Sequence, residues 1–448
     1  MTDSHSPADK GAPFRKKLDW QNPEFYNEEN LDEELRRVFD VCHGCRRCFN
    51  LCDSFPKLFD LIDESPTGEL DGVASKDFGV VADSCTLCDI CFVNKCPYVP
   101  PHEFDIDFPH LMLRAKAVEA QKNGTGFVHS QMVQMDRNGA VGTKVAGAVN
   151  WATDAGNKVT RPILEKIAGI HKSAAVPKFA SQTFVAFDKK NPATVNTKAP
   201  GYGEKVVLYA TCYGNYHETG IAKAARAILA HNGVDVVVDY PGCCGMPTLE
   251  QGQIEKVAKQ ARDVSAKLNT WVEKGYTILA LVPSCALMLK HEWPLILPDD
   301  SDVALLAKHT KDISEYLVEL FKAKGMAEGL TQLGDDITLH LACHSRAQNI
   351  GNKAADLLRM IPETKVDVIE RCSGHGGSWG MMVDHFEVAM KVGKPVFREA
   401  VAKGNHYVAS ECPLATAHIA QGLDREKEGH TLINLHPLEI FAKAYGLV

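Results

Sequence analysis

Eight of the 15 cysteines in this chain lie between residues 42 and 96, seven lie between 212 and 412, and none falls from 97 to 211. The first group reads CHGCRRCFNLC (42–52) and CTLCDICFVNKCP (85–97), that is C-x2-C-x2-C-x3-C followed by C-x2-C-x2-C-x4-C-P. Three thiols at x2 spacing sit on one tight loop and can wrap three corners of an iron–sulfur cubane, a group that gains or loses one electron with little rearrangement. Two zinc sites built from paired CxxC are the alternative, but zinc has no use for the third closely spaced cysteine.

Where two such runs share a chain, the fourth cysteine of each run ligates the other run's cluster. That pattern assigns Cys42, Cys45, Cys48 and Cys96 to one [4Fe-4S] cluster, and Cys85, Cys88, Cys91 and Cys52 to a second. Asp53 stands after Cys52 where the pattern has proline, and one extra residue precedes Cys96. Two neighbouring clusters make a wire for single electrons.

The remaining cysteines are Cys212, Cys243, Cys244 and Cys285, then Cys343, Cys372 and Cys412, and they mark an internal repeat. VVLYATC (206–212) matches ITLHLAC (337–343), Cys243-Cys244-Gly245 matches Cys372-Ser373-Gly374, and LVPSC (281–285) matches VASEC (408–412), at offsets of 131, 129 and 127. Each half closes on a similar helical run, ISEYLVELFKAKG (313–325) and PLEIFAKAYG (437–446). Within the first half, strands are expected at Val206–Ala210, Val234–Asp239 and Tyr276–Val282, with helices at Gly220–Asn232 and Gln251–Lys274. That alternation is the signature of a parallel sheet covered by helices, and it puts every cysteine just past the carboxyl end of a strand, where such sheets place their ligands.

The chain must be long enough to hold these elements, and at 448 residues with 45% hydrophobic and 24% charged it is globular and multidomain. Net charge is −8 without a basic tract dense enough to grip a phosphate backbone, so nucleic acid is not an expected partner. No apolar run approaches the ~20 residues a transmembrane helix needs; the longest, Tyr276 to Leu289, is broken by Pro283. The first twenty residues lack an apolar stretch of the secretory kind, and 15 cysteines without one belong in a reducing compartment as metal ligands. The expected location is therefore cytoplasmic. The cysteine-free middle has helical periodicity at Val159, Ile163, Leu164, Ile167 and Ile170 before turning Pro-rich at Pro177, Pro192 and Pro200. It reads as one or two amphipathic helices and a connector that packs the flanking modules together, or as a docking surface for a membrane protein or partner subunit.

With Cys212, Cys243-Cys244-Gly245 and Cys285 following a two-cluster ferredoxin module, the whole chain resembles the CCG-domain iron–sulfur oxidoreductases. That family includes the heterodisulfide reductase B and D subunits, the glycolate oxidase iron–sulfur subunit and the C subunit of anaerobic glycerol-3-phosphate dehydrogenase. The likeness to the last extends through GIHKSAAVPKF (169–179) and the terminal HPLEIFAKAYG (436–446). The fold class this implies is α/β: an N-terminal helical two-[4Fe-4S] ferredoxin-type module (1–128), a helical connector (129–200), CCG repeat 1 (201–326) and a degenerate CCG repeat 2 (327–448).

The resemblance implies an electron-transfer subunit working between a flavin-dependent dehydrogenase partner and a quinone or thiol/disulfide acceptor, peripheral on the inner face of a membrane. The competing expectation is a self-contained thiol/disulfide or peroxide-linked reductase with the CCG domain as its catalytic centre. No flavin fingerprint occurs in the sequence, which favours the first. Repeats of this family can carry five cysteines ending in CxxC; here Met288 replaces the last in repeat 1, and Ser373 and Ala415 replace two in repeat 2. Cys212, Cys243, Cys244 and Cys285 remain enough for a further iron–sulfur cluster or a zinc. Cys343, Cys372 and Cys412 need a fourth ligand, for which His344 and His375 are the candidates. The glycines of GHGGSWG (374–380) read as backbone making room for the cysteine site, since no Lys-Ser/Thr follows as in a phosphate cradle. His217-Glu218 and His291-Glu292 lack HExxH spacing and read as helix-surface residues.

Overall fold

The computed structural model describes residues 14–427 and 429–448; the polar start at residues 1–13, on which the expectation of no secretory segment partly rests, lies outside them. The chain forms two compact units, Met1–Gly124 with Glu250–Gly252, and Thr125–Leu249 with Gln253–Val448.

The first unit is helical. Asn27 accepts hydrogen bonds from the Glu29 and Asn30 backbones and starts the helix Glu28–Cys45, with Glu28 and Glu29 in its positive first turn. Leu31, Leu35, Val38 and Phe39 recur at helical spacing and form its buried stripe. Aromatic rings then tie the short elements together: Phe39 meets Phe78 edge-on at 5.2 Å, and Phe55 of the helix Ser54–Asp63 stacks on Phe108 of the helix Phe108–Asn123 at 4.6 Å.

The second unit contains two four-stranded sheets. The strands are β1 (Lys205–Tyr209), β2 (Asp235–Asp239), β3 (Thr277–Ala280) and β4 (Thr310–Asp312), then β5 (Ile337–His340), β6 (Val366–Ile369), β7 (Tyr407–Ser410) and β8 (Ile433–Leu435). Their orders are β2-β1-β3-β4 and β6-β5-β7-β8, with every pairing parallel. The duplicated parallel-sheet architecture expected from the repeat is therefore present. Three-residue β4 and β8 were not legible in the sequence. The long helix runs from Ile254 to Val272 rather than from Gln251 to Lys274, because Gly252 takes a positive φ of 70° that a right-handed helix cannot include.

Each edge strand leads into a closing helix with a reciprocal cap. Asp312 accepts from Ser314 N–H while Glu315 accepts from Asp312 N–H, and His436 and Glu439 repeat this at the second site. The closing helix Ile313–Lys324 of the first repeat packs against the helix Lys353–Leu358 of the second, and the closing helix Pro437–Ala444 of the second packs against the helix Thr219–His231 of the first. Phe321 and Phe441 stack at 5.8 Å, and both sheets share one apolar core that includes Leu208, Leu339, Leu317 and Leu438.

The middle segment folds as five short helices, Phe127–Met132, Met135–Lys144, Ala146–Thr153, Thr160–Ala168 and Phe184–Lys190, within the second unit. The periodic residues Val159, Ile163 and Ile167 point outward instead of into a core. Among the described residues, no helix is long and apolar enough to cross a membrane.

Phe441 is fully buried, so Phe441→Ala should cost about 3–5 kcal/mol. Because the core is shared, calorimetry of the second unit's unfolding should still show one transition, shifted down. Two separated transitions, one per repeat, would refute the shared core.

Candidate metal centres

In the first unit, Cys42 and Cys45 occupy the last turn of the helix Glu28–Cys45, which ends because Arg46 turns left-handed (φ 50°) and returns its N–H to the Cys42 carbonyl at 2.8 Å. Cys48 and Cys52 follow in the turn before Ser54. In the second run, Leu87 and Asp89 also adopt left-handed φ of 50° and 63°, conformations that non-glycine residues hold only under outside constraint. Arg15 supplies that constraint, pairing with Asp89 at 2.6 Å and with Asp107 at 3.1 Å while lying over the Phe92 ring. The extra residue before Cys96 is absorbed in one wide turn, Cys91–Lys95, closed by Cys96 N–H on the Cys91 carbonyl at 2.8 Å.

The eight thiols all lie in this unit, and their charges act on one another in two sets. Burial pushes the Cys42 thiol up, and Cys96, Cys48 and Cys45 add to it. Burial likewise raises Cys91, with Cys88, Cys85, Cys52 and then Cys48 adding to it. Cys48 is pushed up to about 11 and Cys85 to about 12, again chiefly by burial. Sequence reasoning missed three supports: Arg15, the Tyr98 hydroxyl bonded to Cys45, and Lys116, whose ammonium holds the Cys85 carbonyl at 2.6 Å. Lone side chains far from a motif carry no spacing signal.

In repeat 1, Cys212, Cys243, Cys244 and Cys285 all follow strand ends and all are buried. Cys212 Sγ lies 3.9 Å from Cys243 Sγ, and Cys244 Sγ lies 3.1 Å from Cys285 Sγ. Two thiolates on one tetrahedral zinc, with Zn–S of about 2.3 Å, would stand about 3.8 Å apart. The Cys243 and Cys244 thiols also bond each other, so the four sulfurs form one chain, and among the described residues no three His, Cys, Asp or Glu side chains close on one point as a single ion would need. The hydrogen bond to Cys243 and burial push Cys212 up. For Cys285 the bond with Cys244 works downward, but burial and the charges of Cys212, Cys243 and Cys412 outweigh it. Buried thiols this close ionise together only against a cation, and with no three donors converging on one point, a multi-atom iron–sulfur cluster fits the set better than a single zinc. Trp293 donates its indole N–H to the Cys244 carbonyl at 3.1 Å, and Asp136 accepts from the Cys243 backbone at 3.3 Å. Met288 is fully buried.

Repeat 2 keeps the same turn. Gly245 and Gly374 adopt φ of 83° and 84°, and their N–H groups point at Cys243 Sγ (3.5 Å) and Cys372 Sγ (3.4 Å). A Cβ at Gly374 would stand 2.1 Å from the Ala389 carbonyl oxygen, so only glycine fits. The electrostatics differ from repeat 1. A hydrogen bond from Cys343 outweighs burial and pulls Cys372 down to about 7. Ser373 and Ala415 are buried at the positions of the missing thiols.

His375 sits beside Cys412, with Nε2 3.8 Å from its Sγ, but Gly377 N–H donates to His375 Nδ1 at 2.9 Å. Burial keeps the ring neutral, down to about 3, so its one proton is on Nε2 and faces the sulfur. That arrangement makes His375 a hydrogen-bond donor to Cys412, unlike the fourth ligand expected from the sequence. His344 Nδ1 instead meets Ser284 Oγ of repeat 1 at 2.8 Å, joining the two cysteine loops. Two further sequence readings change: Glu292 is buried rather than on a helix surface, and His217 packs between Phe179 and Tyr213.

In metal-free protein, alkylation near pH 7 should label Cys372 well before Cys85, with the Cys372 rate rising as pH passes through about 7. Mass spectrometry reads the order; equal rates would show that Cys343 does not stabilise the Cys372 thiolate.

The sequence family of the cysteine-rich CCG domain matches residues 206–290 and 337–420, one stretch in each repeat. Over 312 residues the chain is 25% identical to the C subunit of anaerobic glycerol-3-phosphate dehydrogenase from Escherichia coli K12, covering 69% of this chain and 75% of that one. Lactate utilization protein A of Bacillus cereus (strain G9842) is 28% identical over 188 residues, 40% of this chain and 74% of its own. An uncharacterized iron–sulfur protein of Methanococcus maripaludis is 26% identical over 236 residues, 51% and 43% of the two chains. The chain thus carries two cysteine-rich CCG domains, one in each repeat, and its likeness to these relatives fits the CCG iron–sulfur family.

Proposed function

We propose that this chain is the iron–sulfur electron-transfer subunit of a dehydrogenase complex. It relays single electrons between a flavin-dependent dehydrogenase partner and a quinone or thiol/disulfide acceptor, in the cytoplasm and peripheral on the inner face of the membrane. The observation that carries this reading is that eight thiols lie in one helical unit and that their charges act on one another in two sets, which supports two ligand groups. Cys42, Cys45, Cys48 and Cys96 would hold one [4Fe-4S] cluster and Cys85, Cys88, Cys91 and Cys52 the second. A bound cubane accepts and gives up one electron at a potential set by burial and by hydrogen bonds to its sulfurs. Arg15, Tyr98 and Lys116 hold the loops and sulfurs in place. The names of two relatives, a dehydrogenase subunit and a lactate utilization protein, support the same role.

Cys212, Cys243, Cys244 and Cys285 would hold a further iron–sulfur cluster or a zinc, and Cys343, Cys372 and Cys412 form the weaker site of repeat 2. The second reading, a self-contained thiol/disulfide or peroxide-linked reductase, is favoured by one observation, the Cys343–Cys372 pair with its stabilised thiolate.

Anaerobically purified protein should contain at least about eight iron atoms per chain, two cubanes' worth, and show interacting-cluster spectra on reduction. Cys88→Ser should remove one cluster and interrupt electron flow, and a reconstituted wild type with clearly less iron would sink the relay. Cys244→Ser should empty the repeat 1 site, whereas Cys412→Ser should change iron content much less. Equal losses would make repeat 2 a full metal site.

A further inference from the structure

Of fourteen large apolar side chains exposed among the described residues, seven lie between Phe127 and Ile167. Three of them, Val159, Ile163 and Ile167, are spaced four apart on the helix Thr160–Ala168 and its start, and are 70%, 52% and 75% exposed. Trp151, on the helix Ala146–Thr153 that packs against it, is 65% exposed, and Val141 and Val145 continue the apolar face on and after the helix Met135–Lys144. A monomer rarely leaves so many large apolar groups in water within one short stretch.

Loose packing does not explain the exposure. Arg161, on the same helix, is 1% exposed and donates to the carbonyls of Thr153, His171, Lys172 and Ala174. Those bonds lock the helix with Leu164 partly covered and Ile163 and Ile167 facing out. Truncating Arg161 would strand several carbonyls, so the outward orientation is built in.

Charge tells what covers this face. Residues 127–200 carry ten Lys and Arg against four Asp and Glu, in a chain whose net charge is −8. Lys144, Lys158, Lys166 and Lys172 are exposed, and none forms an ion pair among the described residues; Asp154 is already paired with Lys178 at 3.0 Å. Protein–protein interface cores are depleted in lysine. Lysines interleaved with Ile, Val and an outward Trp suit the headgroup layer of an anionic bilayer, where ammonium groups reach up to phosphate and apolar tips sink below it.

We propose that the helices between Met135 and Ala168 are an interfacial docking surface for an anionic lipid bilayer. Val141, Val145, Trp151, Val159, Ile163 and Ile167 would insert into it, and Lys144, Lys158, Lys166 and Lys172 would lie at the phosphates. The proposal deepens the peripheral membrane position stated above and in that respect rests on it. It does not depend on the metal centres.

The test is flotation of the full-length, iron-loaded protein with vesicles of phosphatidylcholine alone and of phosphatidylcholine mixed with phosphatidylglycerol. Wild type should float with the mixed vesicles at low salt, several-fold less with phosphatidylcholine alone, and less again as salt rises. Ile163→Ser with Ile167→Ser should abolish flotation, and Lys158→Gln with Lys166→Gln should weaken it and flatten the salt dependence. Tyr202→Ser, an exposed apolar residue outside the face, should leave it unchanged. Trp151 emission should shift to the blue on binding. Iron content and thermal melting of each variant show that the substituted side chains were on the surface, and they report on the electron-relay reading separately. Wild type that ignores phosphatidylglycerol vesicles, Ile variants that float like wild type, or a dimer that the Ile variants convert to monomer would each overturn the proposal.

Discussion

The second unit depends on one shared apolar core. Each repeat of this chain supplies a sheet of only four short strands, and neither closing helix covers its own repeat alone. The helix Pro437–Ala444 lies on the first repeat's helix Thr219–His231, and Ile313–Lys324 lies on the second repeat's Lys353–Leu358. Burying Leu438, Ile440 and Phe441 there is worth about 1.5–3 kcal/mol per side chain, which no isolated repeat could gain. The exchange also brings the strand-end loops of the two repeats together, so that Ser284 and His344 share a hydrogen bond and the charge of Cys412 is felt at Cys285.

Within that frame, burial divides the cysteines by what they can do. Thiols packed together out of water resist ionisation, and in the first unit and in repeat 1 burial and the charges of neighbouring thiols raise them. Such groups become thiolates in company with a metal, and the binding free energy of that metal becomes part of the stability of the fold. Repeat 2 keeps the Gly374 turn and its N–H aimed at sulfur, yet with Ser373 in place of a thiol the remaining pair favours a single thiolate at Cys372. One duplicated backbone thus holds two different sulfur chemistries, and the difference lies in side chains rather than in topology.

The cysteine-free middle carries the opposite balance of charge from the rest of the chain and leaves Val141, Val145, Trp151, Val159, Ile163 and Ile167 in water. A segment that served only to pack against the repeats would turn those residues inward. Arg161 shows why it does not: the buried guanidinium takes the space beneath the helix Thr160–Ala168 and binds four carbonyls, fixing which face remains free.

Much of this was legible in the sequence, because it rests on local spacing. The x2 intervals among Cys42, Cys45, Cys48, Cys85, Cys88 and Cys91, the alternation of strand and helix, and the four landmarks of the repeat are short-range signals that chain geometry preserves. The closing helices were legible for the same reason, since a cap and an apolar period lie within one turn of each other. What the sequence could not decide depends on residues far apart. Three-residue β4 and β8 exist because β3 and β7 offer a free edge, and the wide turn at Cys91–Lys95 forms because Cys96 must return to its group. The proton on His375 Nε2 follows from one backbone N–H at Gly377, and the outward face of Ile163 and Ile167 follows from Arg161. Periodicity states that a helix has an apolar side; only the tertiary structure decides whether that side meets protein or water, because burial is a property of what else is packed there.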